Sequence, residues 1–456
     1  VKAATFGSGG SLVRSLTAKD GFAIVVGSVI GSGIFLVPGP IASQLPALRD
    51  VLLVWICGAL LSLFGALSLA EMGAMFPGAG GLYVYLRRAY GAPVSFLYGW
   101  GLLTMIHTGS IATLGAGFGL YLSHFAHLTV LEQRLAGVAC VLTLTGLNLL
   151  GLKAGKLIQN VSTAAKIAGI VTLGALLFSR GHVSSLRASW SSPGHAAPWA
   201  AMGVALIAVL WGYEGWHVVS FTAGEFRNPK RDLPRSLIFG TIVIGAIYIA
   251  LNIGYYAVLS TAAIRGSASA ASAAVTAAWG DSAASFVSVL ILLSIFGAMN
   301  GMIFTGPRVY YAMARDGDFL PIIGRVDTRF HAPTLAILIQ GVWASVLILL
   351  GSFQQLFTDV VFTAWIFYGL AVFAVIPLRR KLPALERPFR TPGYPVVPLL
   401  FVLAAFVVVV SAIASQPFNS LVGFGLILVG IPVYLVFHFQ HARTQPAAAW
   451  AEEAGE

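Results

Sequence analysis

The 456-residue chain is 58% hydrophobic and only 9% charged, with a mean hydropathy of +0.87 and 51 glycines. Soluble domains carry about 25% charged residues, so these figures exclude a soluble globular protein and point to a bundle of membrane helices. The formal charge of +11 leaves a nucleic-acid partner open until the basic residues are placed.

Twelve apolar stretches read as membrane spans: 21–43, 51–75, 93–122, 135–150, 157–178, 199–223, 237–259, 283–314, 333–350, 360–377, 397–415 and 421–437. Most exceed the ~17 residues needed to cross hydrocarbon. The first is long, broken by glycine and followed by further spans, so it reads as retained rather than as a cleavable signal peptide. With the N-terminus inside, 21 of the 27 Lys and Arg residues fall on the inner side and five on the outer side, and Lys166 stays within a span. That asymmetry places both termini in the cytoplasm of a multi-pass protein of the plasma or inner membrane. It also accounts for the basic charge with no nucleic acid. The two cysteines, Cys57 and Cys140, lie in apolar stretches and form no disulfide framework.

The first span carries the most informative run, Gly27-Ser28-Val29-Ile30-Gly31-Ser32-Gly33-Ile34-Phe35. Glycine costs roughly 0.8–1 kcal/mol against alanine inside a helix, so three glycines in seven residues mark a place where the helix opens. Inside a membrane, opened backbone is tolerated only against protein, water or a ligand. Gly31, Ser32 and Gly33 therefore read as donors to a substrate carboxylate, with a Ser32 hydroxyl beside them. Close packing of small residues is the alternative.

The ends of the second span carry Glu71 and then Phe76-Pro77-Gly78-Ala79-Gly80-Gly81, with Tyr83 and Tyr85 following. These glycines fit a re-entrant or amphipathic segment packed under the bundle. In the third and seventh spans, His107 and Asn252 read as internally satisfied polar groups. The fifth span holds Lys166, an ammonium far from either membrane surface. It must find acceptors or lose its proton. It reads either as a fixed cation that ties opened backbone carbonyls together or as a proton carrier.

The sixth span is interrupted at Trp211-Gly212-Tyr213-Glu214-Gly215-Trp216. Paired breaks in corresponding spans of two halves point to a midplane transport site. An odd number of spans per half gives the halves opposite orientations. The fold expected is an all-α polytopic membrane protein of 12 transmembrane helices. A first repeat lies in 1–180, a second in 197–378, two further helices in 395–438 and a short cytoplasmic tail in 439–456. Helices 1 and 6 are discontinuous in a five-plus-five inverted repeat.

Trp211 and Trp216 flank the second break, where either ring is placed to gate a bound substrate or simply to pack. Glu214 is an acid within an apolar span, where ionisable groups are expensive and functional. It faces a substrate cation or serves as an internal hydrogen-bonder. After the sixth span come Glu225, Arg227, Lys230, Arg231 and Asp232, and after the eighth come Arg308, Arg315, Asp316 and Asp318. These read as an inner gate or as ordinary topology-setting charge. Ser294, Gly297, Asn300 and Thr305 form a polar series in the eighth span, with some of them expected against Lys166 or the first span.

No zinc-ligand cluster and no nucleophile–base set appears, so neither an enzyme nor a metal or other cofactor is expected. A sensor would need a signalling region for which the tail leaves little room. A channel would need a continuous pore rather than paired breaks.

The segments 27–35, 70–85, 159–167, 211–234 and 301–317 resemble, in order and spacing, the L-type amino acid transporter branch of the amino acid–polyamine–organocation superfamily. Asn228-Pro229, Leu233-Pro234 and Arg387-Pro388-Phe389-Arg390 strengthen the likeness. The resemblance implies a sodium-independent L-amino acid carrier with alternating access, an exchanger of small or large neutral amino acids. By that likeness the Val29 carbonyl meets the substrate amine and the Ser32 and Gly33 amides meet its carboxylate. Trp211 is the gate, the backbone near Glu214 helps to hold the amine, and Lys166 matches a lysine of sodium-independent members. Animal relatives attach a glycoprotein through a cysteine after the third span. The corresponding loop, 123–130, has none, so no disulfide-linked heavy subunit is expected. A monomer or weak homo-oligomer with amino acid substrates and membrane lipids as its partners is the expectation. Glu214 stands where many neutral amino acid carriers have a small residue and resembles members that also accept cations. Proton-coupled uptake of neutral or cationic amino acids or polyamines is the alternative activity.

Overall fold

The computed structural model describes residues 12–191, 199–280, 283–351, 353–415 and 417–444. Lys2 and the tail beyond residue 444 lie outside the described residues. Helices form almost everywhere, because in an apolar surrounding each backbone N–H and C=O must be paired locally.

In chain order the helices are α1 (Ala18–Val29), α2 (Gly33–Leu36), α3 (Pro38–Gln44), α4 (Leu48–Met75), α5 (Leu82–Tyr90), α6 (Ala92–Gly101), α7 (His107–Ala126), α8 (Val130–Leu149), α9 (Leu152–Arg180), α10 (Val183–Trp190) and α11 (Trp199–Gly212). They continue with α12 (Pro229–Val258), α13 (Thr261–Arg265), α14 (Ala270–Trp279), α15 (Ala284–Thr305), α16 (Pro307–Arg315), α17 (Thr334–Leu350), α18 (Phe353–Phe373), α19 (Val375–Lys381), α20 (Val396–Ser415) and α21 (Pro417–Thr444). Among the described residues, nine helical segments are long and apolar enough to cross a membrane. Of the remaining sequence spans, α11 and α17 have 14 and 17 residues, and α6 passes into α7 through a π-turn at Leu102–Ile106.

The first helix starts with a local cap. Thr17 donates its amide to Asp20 Oδ2 at 2.8 Å, so an otherwise orphaned donor is satisfied. It then packs against α12, α9 and α15. Polar groups stitch these helices together. Gln159 and Thr163 of α9 donate to the Ala23 carbonyl, and Asn160 donates to Asp20. Asn148, Asn300 and Gln159 form a buried chain across α8, α15 and α9. Exposed Leu142, Val171, Leu403 and Phe406 cover the outer faces of α8, α9 and α20. Such bare apolar surface suits contact with lipid.

The N-terminal arm is also held. The amides of Ser15 and Leu16 donate to the Glu225 carbonyl at 2.8 and 2.9 Å, and Arg227 donates back to Leu16 at 2.9 Å. This short parallel pairing fixes the arm to the exit of the sixth sequence span.

Candidate functional site

Both interruptions expected from glycine are present, and they touch. The first helix stops at Val29 and restarts at Gly33. The other stops at Gly212, and after a turn a 3-10 helix runs over Val218–Glu225. A methyl group on Gly33 would stand 2.9 Å from the Gly212 Cα. Gly215 has φ +110°, a region that L side chains rarely adopt. A Cβ there would lie 3.2 Å from the Ser28 carbonyl. Glycine thus brings two opened backbones into direct contact.

A cavity lies where they meet. It borders about 430 Å³ of space outside the protein atoms, part of it continuous with solvent. Val29, Gly31, Ser32, Gly33, Trp211 and Glu214 line it, together with Ser28, Gly212, Ser110, Thr113, Leu114 and Met302. The amides of Ser32 and Gly33 have no backbone acceptor among the described residues. The Ser28 and Ser32 hydroxyls are buried and have no partner among the described residues. Nor does any backbone amide among the described residues donate to the Gly212 carbonyl. One wall therefore presents donors and the other an acceptor, which is the polarity a zwitterion needs. Backbone groups freed by helix ends carry partial charges of these signs.

Val29 departs from its expected role. Its carbonyl oxygen already accepts from the Gly31 amide at 2.8 Å and the Tyr248 hydroxyl at 3.2 Å. Both lone pairs are engaged, so in this geometry the Gly212 carbonyl is the open acceptor. Trp211 and Trp216 also separate. The Trp211 ring lies against Gly33 at the cavity. Trp216 is buried outside the lining, packed edge-on to His217, Tyr368 and Phe401.

Lys166 is fully buried and sits behind the first break. Its Nζ donates to the carbonyls of Gly27 at 2.7 Å, Ile30 at 2.7 Å and Ser294 at 2.9 Å. Three carbonyl acceptors require three N–H groups, which only the ammonium supplies. Ser294 adds a second tie, its hydroxyl lying 2.8 Å from the Ile30 carbonyl and 2.9 Å from that of Gly31. Gly297 leaves room for this side chain, since a Cβ there would lie 3.1 Å from Lys166 Nζ. Asn300 stands apart, bonded to Asn148, Gln159 and the Gly155 carbonyl. His107 meets the Met302 carbonyl, and the Asn252 amide donates to Tyr248.

Glu214 contacts residues that the sequence did not single out. Its Oε1 accepts from the Tyr368 hydroxyl at 2.5 Å, and His217 Nε2 lies 3.2 Å from that same hydroxyl. Tyr368 is 154 residues away in sequence, so no local pattern links the two. Ser110 and Thr113 were legible only as polar residues three apart on one helical face.

The charged residues expected at the inner end form several separate pairs. Arg308 and Glu225 are buried and meet at 3.0 Å. Arg87 bonds Asp318 and lies 3.3 Å from Asp316, while the Tyr83 hydroxyl donates to Asp318 at 2.8 Å. Burial pushes the Tyr83 phenol well above its ordinary range, which keeps it a neutral donor. Glu71 receives Arg379 through two bonds of 2.8 and 2.7 Å and the Thr391 amide at 2.7 Å. Lys230 reaches Glu386, and Arg231 its neighbour Asp232. Among the described residues, no group of three or more His, Cys, Asp or Glu side chains is placed to hold a metal ion.

The family model described as amino acid permease matches residues 16–437. The chain is 31% identical to the human b(0,+)-type amino acid transporter 1 over 95% of its own length and 90% of the relative. It is 31% identical to the serine/threonine exchanger SteT of Bacillus subtilis over 90% and 94%. To the human cystine/glutamate transporter it is 27% identical over 93% and 85%. The chain belongs to the amino acid permease family, in the L-type branch of the amino acid–polyamine–organocation superfamily, and is a multi-pass membrane transporter.

Proposed function

We propose that this protein is a sodium-independent exchanger of amino acids. The observation that carries this reading is the cavity between two opened helices, with the Ser32 and Gly33 amides and the Gly212 carbonyl available to a zwitterion. The substrate carboxylate meets the amides and the Ser32 hydroxyl, and its ammonium meets the carbonyl. Trp211 closes over the bound molecule. The transporters matched above, one of them named an exchanger, support the same activity.

Lys166 supports sodium independence. Its ammonium occupies a cage of three carbonyl oxygens, ligands of the kind an alkali cation would otherwise require. A covalent cation tethered there removes the need for a dissolved one. Twelve spans, ten of them in two inverted five-span repeats and two following, with both termini cytoplasmic and residence in the plasma membrane, complete the reading. Closing an empty cavity would strand unpaired amides in a dry site, at about 1–3 kcal/mol each. A loaded cavity avoids that cost, which favours obligatory exchange.

The test uses purified protein in liposomes, with labelled alanine or leucine outside, no sodium, and equal pH on both sides. Uptake confined to vesicles preloaded with unlabelled amino acid is the expected result. Uptake into empty vesicles that rises on external acidification would overturn exchange in favour of proton symport.

A further inference from the structure

We propose that Glu214, Tyr368 and His217 form a proton site that trades places with the positive charge of a substrate side chain, so that the protein exchanges cationic for neutral amino acids without moving net charge. This rests on the exchange reading above and adds a coupled proton to it.

Hydrogen-bond accounting points to a missing proton. The Tyr368 hydroxyl has one hydrogen, and its 2.5 Å approach to Glu214 Oε1 commits that hydrogen to the carboxylate. His217 Nε2, at 3.2 Å from the same oxygen, must then be the donor of the second bond. Imidazole Nδ1 is left bare. It is buried, has no partner among the described residues, and lies 3.9 Å from Glu214 Oε1. Two acceptors therefore face each other beside the cavity that Glu214 lines. A single proton, on the carboxylate or on Nδ1, turns that opposition into attraction.

Charge accounting points the same way. Three buried carboxylates each have a cation within the chain: Glu71 has Arg379, Glu225 has Arg308 and Asp20 has Lys156. Glu214 has none among the described residues. Besides Tyr368 and His217, the titratable groups facing the cluster among the described residues are the Tyr98 phenol of α6 and the His107 imidazole of α7. Glu214 also lines the cavity. The charge that balances it therefore comes from whatever enters: the ammonium or guanidinium at the end of a side chain, or a proton when the side chain has none.

The cycle balances. A cationic amino acid moves inward on the ionised cluster. A neutral one returns with a proton taken from the inner side and released outside. One positive charge travels each way.

The experiment uses the full chain in liposomes loaded with alanine and a trapped pH-sensitive dye, with labelled arginine outside. Arginine uptake accompanied by a rise in luminal pH, with a rate that a potassium diffusion potential leaves unchanged, is the expected result. Alanine-for-alanine exchange moves no proton. In Glu214→Gln the ratio of arginine to alanine exchange falls by at least about tenfold and the pH signal per arginine disappears. Tyr368→Phe, which keeps the ring packing, shifts the pH profile of alanine exchange. Arginine uptake with no pH change and acceleration by an inside-negative potential overturns the proposal. So does a protein that exchanges alanine but not arginine. Absence of alanine exchange in the native protein instead removes the exchange reading, and this proposal with it.

Discussion

The Lys166 ammonium lies 2.7 Å from the carbonyl oxygen of Ile30, the residue at which the first helix loses its regular turn. The two residues are 136 positions apart. Lys166 thereby holds open backbone in place at the cavity edge. Replacing it with alanine leaves the Gly27 carbonyl, at the broken helix end, without this donor, at about 1–3 kcal/mol for a buried group left unpaired. Lys166→Ala is expected to slow exchange by at least about tenfold while equilibrium binding of alanine falls less. Binding by isothermal calorimetry beside liposome exchange checks this, and unchanged exchange removes Lys166 from the mechanism.

Gly33 touches Gly212 across the two breaks. A Cβ at 2.9 Å from a backbone Cα has no flexible neighbour to push aside. Gly33→Ala is expected to separate the two half-helices and lower exchange by about tenfold or more, with most of the fold intact, because only this contact is overpacked, at typically about 1–3 kcal/mol. Thermal unfolding in detergent, read beside transport, separates the two effects.

Arg308 and Glu225 form a buried pair between α16 and the 3-10 helix that follows the second break. Removing one partner leaves an uncompensated charge, a loss of about 3–5 kcal/mol. Arg308→Met is expected to lower the melting temperature sharply. Adding Glu225→Gln in the same chain should recover a large part of the loss. No recovery in the double variant would show that the arginine acts through packing, for instance on the Phe304 ring beneath it.

The two tryptophans of the second break are expected to behave differently. Trp211 lines the cavity, so Trp211→Ala should raise the apparent KM for substrate with a small effect on melting temperature. Trp216 fills the space beside Gly65, Phe401 and Tyr368. Trp216→Ala should cost about 3–5 kcal/mol of stability through the cavity it leaves. A KM effect at Trp216 alone would reverse these roles.

Composition and local chemistry determined a great deal without any fold. Low charge and long apolar runs set the membrane class. Glycine clusters located both helix breaks, because backbone freedom is a local property. Lys166 and Glu214 stood out because a lone charge within an apolar run is costly wherever it sits. Membrane helices are apolar on nearly every face, however, so their sequences carry little periodic signal for which face meets which neighbour. Only the tertiary structure decided that Ile30 and Ser294 receive Lys166, that Tyr248 occupies the Val29 carbonyl, and that Trp211 rather than Trp216 borders the cavity. The same holds for Glu214, whose acidity was plain in the chain but whose hydrogen-bond partner, Tyr368, depends on how α18 docks beside the second break.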